Sequence, residues 1–219
     1  MEKVNLYIVR HAETFLNRLG SNQGWIDSDL TEEGISELND IYINSDLPAI
    51  DAVYCSDLGR AKKTFDIMKQ HLDLNDVEQV FYTNLLRERF LGSFEGTDKH
   101  VVRKDIAIAE GFSSYEELLT EKSLEYFIDC TKKYDPDSLS ENFVEFSGRL
   151  EKIISKVKKE AEENNWEHIL IVAHANPVSF MTDMLLDTEE FNVEKNKVKN
   201  GELIHLQSES DLNSWVLKN

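Results

Sequence analysis

Cysteine is nearly absent, with only Cys55 and Cys130 in 219 residues. That excludes a disulfide framework and a structural zinc site of paired cysteines, and it reads both thiols as reduced packing residues. Proline and glycine are scarce too, at 3 and 9, so no Gly- or Pro-rich linker divides the chain. No period of about 20 to 50 residues repeats, which excludes a solenoid or a propeller. Long apolar runs are missing: near the start about six near-apolar positions precede Arg10, too few for a signal h-region or a membrane span. A cytoplasmic location without a membrane partner is expected. Basic residues are outnumbered, 24 Lys and Arg against 42 Asp and Glu, for a net charge of −18. Such a field repels nucleic acid and anionic lipid, so no nucleic-acid partner is expected. The acidity otherwise reads as solubility, and it requires that any bound phosphate be held by a local basic cluster.

What is present is a core. Hydrophobic residues make up 41%, including 11 Phe, 7 Tyr and 3 Trp, and the length suits a single domain over 1–219. Runs rich in β-branched and apolar residues at 4–9, 52–55 and 169–173 read as strands buried on both faces. Helical patterns separate them. Thr31 is a candidate cap, with Glu32 and Glu33 in the positive first turn. Over about 140–164, Phe143, Phe146, Leu150, Ile153 or Ile154, Val157 and Ala161 recur at three- and four-residue steps, an apolar stripe. Strands alternating with helices predict an α/β sheet. Residues 97–135, short apolar clusters among charges, read as an inserted helical segment or an ordinary surface connection.

The three apolar runs end abruptly in polar residues: Val9 leads to Arg10 and His11, Cys55 to Ser56, Asp57 and Arg60, and Ala173 to His174. In open α/β sheets ligands bind at the carboxyl ends of the strands, so one pocket can gather all of them. Two guanidiniums beside two imidazoles suit phosphate, whose oxygens match the planar fork of arginine. Singly, each residue is more often structural; it is the joint placement that points to a site.

Leu6-Tyr7-Ile8-Val9-Arg10-His11-Ala12-Glu13-Thr14, continuing to Asn17, Gln23-Gly24-Trp25, Asp27, Leu30-Thr31 and Gly34, resembles the Arg-His-Gly-Glu-Thr signature of the histidine phosphatase and phosphoglycerate mutase superfamily. Tyr54 to Ala61 with Thr64, Leu86 to Gly96, and Ile169 to Asn176 are similar to its later motifs, in the family's order. The resemblance implies a three-layer α/β/α fold around a mostly parallel sheet, with a helical insertion at about 97–135. It also implies a metal-independent phosphatase without cofactor, acting on a small phosphorylated metabolite. His11 is then the nucleophile that forms a phosphohistidine. Arg10, Arg60 and His174 hold the equatorial oxygens, and Asn17 adds a neutral donor. Gln23, Gly24, Ala175 and Asn176 lie at the substrate, and Glu88 protonates the leaving oxygen before activating water. Neighbouring arginines disfavour a protonated His11. The assembly state is not legible, a homodimer being one option.

Ala12 and Ala175 depart from the family's usual glycines, and alanine disfavours positive φ; a glycine needed in that conformation would leave the phosphate loop distorted here. Glu13 reads as a structural carboxylate orienting nearby arginines. Asn176 reads first as a helix N-cap ahead of Pro177 at the first helical position, and Gly24 reads equally well as a turn. Three other readings compete. A cysteine phosphatase loop needs five residues between Cys and Arg, and four separate Cys55 from Arg60. A phosphoglycerate mutase usually carries a Trp-Arg-Arg cluster between the third and fourth motifs, where this chain has only scattered Lys99, Arg103, Lys104, Lys122, Lys132 and Lys133. A catalytically silent binding module would be expected to have lost one of Arg10, His11, Arg60, Glu88 or His174. No His-Glu-x-x-His or aspartate-rich loop suggests a metal.

Overall fold

The apolar runs form the centre of one twisted sheet. In a computed structural model that describes residues 3–72, 74, 77–186 and 198–218, β1 (Asn5–Arg10), β2 (Ala52–Ser56) and β4 (His168–Ala173) lie side by side. They are flanked by β3 (Gln79–Thr83), β5 (Leu203–Ser208) and β6 (Trp215–Lys218) in the order β3-β2-β4-β1-β5-β6. The pairs β3/β2, β2/β4 and β4/β1 are parallel; β1/β5 and β5/β6 are antiparallel. The sheet is therefore mostly parallel with an antiparallel edge.

Strand side chains alternate between faces, and the packing follows that period. Leu6, Ile8, Tyr54, Ile169 and Ile171 pack with α7 (Phe143–Asn164) and α8 (Ala175–Leu186). Tyr7, Val9, Val53, Cys55, Leu170 and Val172 face α2 (Glu32–Tyr42) and α3 (Gly59–His71) on the other side. The result is the expected three layers.

Helix ends follow local chemistry. The Thr31 hydroxyl accepts from Gly34 N at 3.0 Å, with Glu32 and Glu33 in the first turn of α2. In α7, Asn142 and Glu145 form a capping box, and Phe146, Leu150, Ile153, Val157 and Ala161 are buried. Burying each of the larger aliphatic side chains contributes about 1.5–3 kcal/mol. The helix begins at Phe143 rather than near Ser140, because the Ser140 hydroxyl and amide are bound to Asp135. Between the sheet strands run a four-residue helix α1 (Phe15–Arg18), two 3-10 turns (Asn84–Leu86 and Gly92–Phe94), and α4 (Lys99–Ala109), α5 (Tyr115–Glu121) and α6 (Leu124–Tyr134). The last three share a small core of Ile106, Ala107, Leu118, Phe127 and Cys130. Among the described residues no helix is long and apolar enough to cross a membrane.

Candidate active site

His11 follows β1, His174 follows β4, and Arg60 lies in the first turn of α3 after β2. Parallel pairing aligns these strand ends, and His11 N donates to Ala173 O at 3.0 Å. The imidazole centroids of His11 and His174 are 5.0 Å apart. Between them, Arg60 Nε donates to His11 Nε2 at 3.3 Å and to His174 Nδ1 at 3.1 Å. Arg60 is 1% exposed. Its remaining nitrogens donate to Ile26 O, Asp27 Oδ1 and Gly24 O at 2.9, 3.2 and 2.7 Å. Asp27 also accepts from the amides of Gly59 and Arg60, so one carboxylate both caps α3 and fixes the guanidinium.

These contacts dictate the tautomers. His11 Nδ1 lies 2.7 Å from Ala12 O, an acceptor only, so Nδ1 carries the proton and Nε2 the lone pair. In His174 the lone pair is on Nδ1, facing Arg60, and Nε2–H donates to Ser56 Oγ at 2.8 Å. Burial, reinforced by the charge of Arg60, holds both imidazoles well below the ordinary histidine range. Arg10 adds to this at His11. The arginines named from sequence therefore act as expected, but desolvation is the larger cause, and both rings are neutral at pH 7.

Among the described residues, two buried side-chain donors of the motif segment 10–23 have no protein acceptor. Arg10 Nη1 donates to Val198 O at 2.6 Å, whereas its buried Nε has no hydrogen-bond partner among the described residues. Gln23 Oε1 accepts from Thr14 Oγ1 at 3.0 Å and Asn17 Nδ2 at 3.3 Å. That fixes the amide orientation and leaves the buried Nε2 without a partner among the described residues. Unsatisfied buried donors are costly, and an anion would satisfy both. Asn17 is therefore partly committed to Gln23, and its Oδ1 accepts from Asn200 Nδ2 at 3.4 Å. Gly24 has φ of +51°, and a Cβ there would collide with the Glu95 carboxylate, so the glycine is required for more than a turn. Ala12 and Ala175 are not among the residues with positive φ, so neither substitution strains the loop.

Glu88 lies in the turn after Asn84–Leu86. Its carboxylate accepts from Arg89 N and Asn176 Nδ2, each at 2.8 Å, and from Asn176 N at 3.3 Å. The charge of Glu88 acts on both Arg10 and Arg60. The reading of Asn176 as an N-cap is corrected here: α8 starts at Ala175, and the first helical bond runs from Val178 N to His174 O. His174 occupies the cap position. Pro177 is third in the helix, where a missing N–H costs nothing, and the Asn176 side chain is free to hold Glu88.

Glu13 binds Arg18 at 2.6 Å and Thr31 Oγ1 at 2.7 Å; the arginine it orients lies outside the imidazole cluster. Cys55 is fully buried in β2, its thiol donating to Ser56 O, and burial pushes its pKa up. It is unfit as a nucleophile. Among the described residues no three His, Cys, Asp or Glu side chains form a metal-binding group.

Sequence reasoning placed Ser56 among the strand-end residues without giving it a role, and it missed Asn200 and Arg149. Ser56 receives His174, and Asn200 Nδ2 donates to His11 O at 2.8 Å. Arg149 donates to Leu85 O, Arg87 O and Glu88 O at 2.8, 2.7 and 2.8 Å while paired with Glu141 at 2.7 Å, thereby pinning the turn that carries Glu88. Arg89, next to Glu88, is buried. Arg149 had a signal: a charge at the third position after Phe146, inside the apolar stripe. Asn200 had none.

A sequence profile described as histidine phosphatase superfamily (branch 1) matches residues 6–219. The chain is 27% identical to the adenosylcobalamin/alpha-ribazole phosphatase of Salmonella typhimurium over 84% of its own length and 80% of that protein's. It is 26% identical to a putative phosphoserine phosphatase 2 of Hydrogenobacter thermophilus over 98% of this chain and 94% of the other. The crystal structure of a phosphoglycerate mutase from Bacillus anthracis superposes with a TM-score of 0.88 at 26% identity, covering 99% of this chain and 92% of that one.

Proposed function

Since the chain belongs to the histidine phosphatase superfamily, branch 1, we propose that it hydrolyses a small phosphomonoester through a phosphohistidine on His11. The observation that carries this reading is the fixed tautomer of His11: Nδ1–H bound to Ala12 O and the lone pair on Nε2 beside Arg60.

Nε2 attacks phosphorus in line, the N–P bond forms and the P–O bond to the leaving group breaks. Positive charge that develops on the ring is stabilised at Nδ1–H by the Ala12 carbonyl. Arg10 Nε and Gln23 Nε2 take equatorial oxygens, and Arg60 and His174 complete the electrostatic frame, which in phosphoryl transfer supplies most of the acceleration. Glu88, held by Asn176, gives its proton to the leaving oxygen. Water then attacks the phosphoenzyme and returns a proton to Glu88, and the N–P bond breaks to release inorganic phosphate.

A second reading, a phosphoglycerate mutase, is favoured by the likeness to the mutase structure. Against it, Lys132 and Lys133 of the 97–135 stretch pair with Glu145 and Glu110. One experiment separates the two. With excess EDTA present, 3-phosphoglycerate and a bisphosphoglycerate primer should yield inorganic phosphate, and alkaline quenching should trap an acid-labile phosphoenzyme that His11→Ala abolishes. Formation of 2-phosphoglycerate without comparable phosphate release selects the mutase. A labelled adduct surviving in His11→Ala, or activity lost on chelation and restored by metal, overturns the mechanism.

A further inference from the structure

Backbone pairing draws the segment that follows the proposed proton donor against the turn that holds Arg60. Gly96 N donates to Asn22 O at 2.6 Å, and Asn22 N donates to Thr97 O at 2.8 Å. Glu95 is thereby set against residues 24–26, so closely that a Cβ on Gly24 would meet its carboxylate. That carboxylate accepts from Trp25 N at 2.6 Å, from Ile26 N at 2.9 Å and, on its other side, from Leu91 N at 3.3 Å. All three donors are backbone amides.

Two of them belong to the stretch that fixes Arg60. The Gly24–Trp25 peptide gives its N–H to Glu95 and its carbonyl to Arg60 Nη2 at 2.7 Å. A carboxylate at one end and a guanidinium at the other polarise that peptide in the same sense, which strengthens both bonds. Ile26 is likewise held at its N–H by Glu95 and at its carbonyl by Arg60 Nη1, 2.9 Å away. The third amide, Leu91, lies three residues after Glu88. Trp25 adds a second link to the same turn, since its Nε1 donates to Glu88 O at 2.7 Å. Its ring meets the Arg87 guanidinium and the Phe90 ring, each at 4.7 Å. Arg149 ties the Glu88 turn to α7, whereas Glu95 and Trp25 tie it to the turn that carries Arg60.

We infer, granted the hydrolase reading above, that Glu95 is a positioning residue which, with Trp25, sets the proton donor at a fixed distance from the phosphate frame. It acts through other groups: on Arg60 through residues 24–26, and on Glu88 through Leu91 and the Trp25 indole. A displacement of about 1 Å at a reacting group costs on the order of 10²-fold in rate, so the tie matters most where the leaving oxygen needs a proton.

The test compares phenyl phosphate with p-nitrophenyl phosphate, whose leaving oxygens differ in their need for a proton. Release of phenol or nitrophenolate is followed through the first turnover of the whole protein. In Glu95→Leu it should slow by about 10-fold for p-nitrophenyl phosphate, through Arg60, and by about 100-fold for phenyl phosphate, through Arg60 and Glu88 together. With Glu88→Gln already in place, adding Glu95→Leu should slow both substrates by the same factor of about 10, because no donor is left to misplace. Glu95→Gln keeps an oxygen for Trp25 N and Leu91 N, and should bring both rates to within about fivefold of wild type. Trp25→Phe keeps a ring but loses the indole N–H, and should slow phenyl phosphate about threefold or more beyond its effect on p-nitrophenyl phosphate. It decides the matter if Glu95→Leu fails to fold by circular dichroism. Equal losses on the two substrates in the deciding variant overturn the inference, as does an extra loss on phenyl phosphate that persists beside Glu88→Gln. Wild-type protein that releases phosphate from neither substrate, nor from 3-phosphoglycerate, overturns the hydrolase reading instead.

Discussion

Lowering the pH from 7.5 to 5.5 should cost this protein up to about 2.7 kcal/mol of stability through two side chains alone. His11 and His174 are 3% and 0% exposed, and burial, followed by Arg60, holds both well below the ordinary histidine value. Below about pH 6.5 the unfolded chain takes up protons that the folded rings refuse, so stability is complete above that pH and falls as the pH drops toward the folded values. A ring that stays neutral in the folded state across the interval, while its unfolded counterpart titrates near 6.5, loses about 1.4 kcal/mol. Urea unfolding reads this as a midpoint lower by about 1 M for a slope of about 2.5 kcal/mol/M. The control is a double variant, His11→Gln and His174→Asn, in which amide oxygens replace the acceptors facing Arg60 and nothing titrates. Its midpoint should fall by far less over the same interval, and the difference isolates the pair from His205, whose pKa is also lowered by burial. If wild type and double variant lose equal stability, the imidazoles are not the neutral groups described above.

Two further outcomes follow from the turn that carries Glu88. Glu88→Gln should lower kcat for an alkyl phosphate by about 10² to 10⁴-fold, yet slow the nitrophenolate burst from p-nitrophenyl phosphate much less, because that leaving group departs unprotonated; equal losses on both would refute the proton-donor role. Arg149→Met strips the pin from three carbonyls and leaves Glu141, 14% exposed, unpaired. It should cost about 3 kcal/mol and lower Tm by roughly 6–12 °C, and a melting temperature within a degree of wild type would show that the contacts do not hold the turn.

Much of this was readable from residues. The three fully buried strands declared themselves because parallel strands covered on both faces are nearly continuous apolar runs, and α7 because its stripe keeps helical spacing over five buried positions. The flanking strands did not. In β5, buried and half-buried positions alternate, and in β3 no residue is fully buried, so neither stands out from surrounding polar sequence. At the site, the residues at the strand ends were legible and their supports were not. Asn176 was misread because a polar residue before proline suits a cap, whereas the position of the helix start was set by His174 at the end of β4. Asn200 reaches His11 across 189 positions, a relation that local pattern cannot carry.

The central strand also sets a timetable for synthesis. β1 pairs with β4 and β5, residues 168–173 and 203–207, and the candidate-site residues at its end, Arg10 and His11, are bound by Val198 and Asn200. At about 5–20 residues per second, an emerging β1 waits roughly 10 to 30 s for its first neighbours to leave the ribosome. Through that interval an apolar strand has neither edge paired, a state that favours chaperone capture or aggregation over early folding. A nascent chain halted before residue 198 contains every motif that announces the site, yet lacks the segment that closes around it.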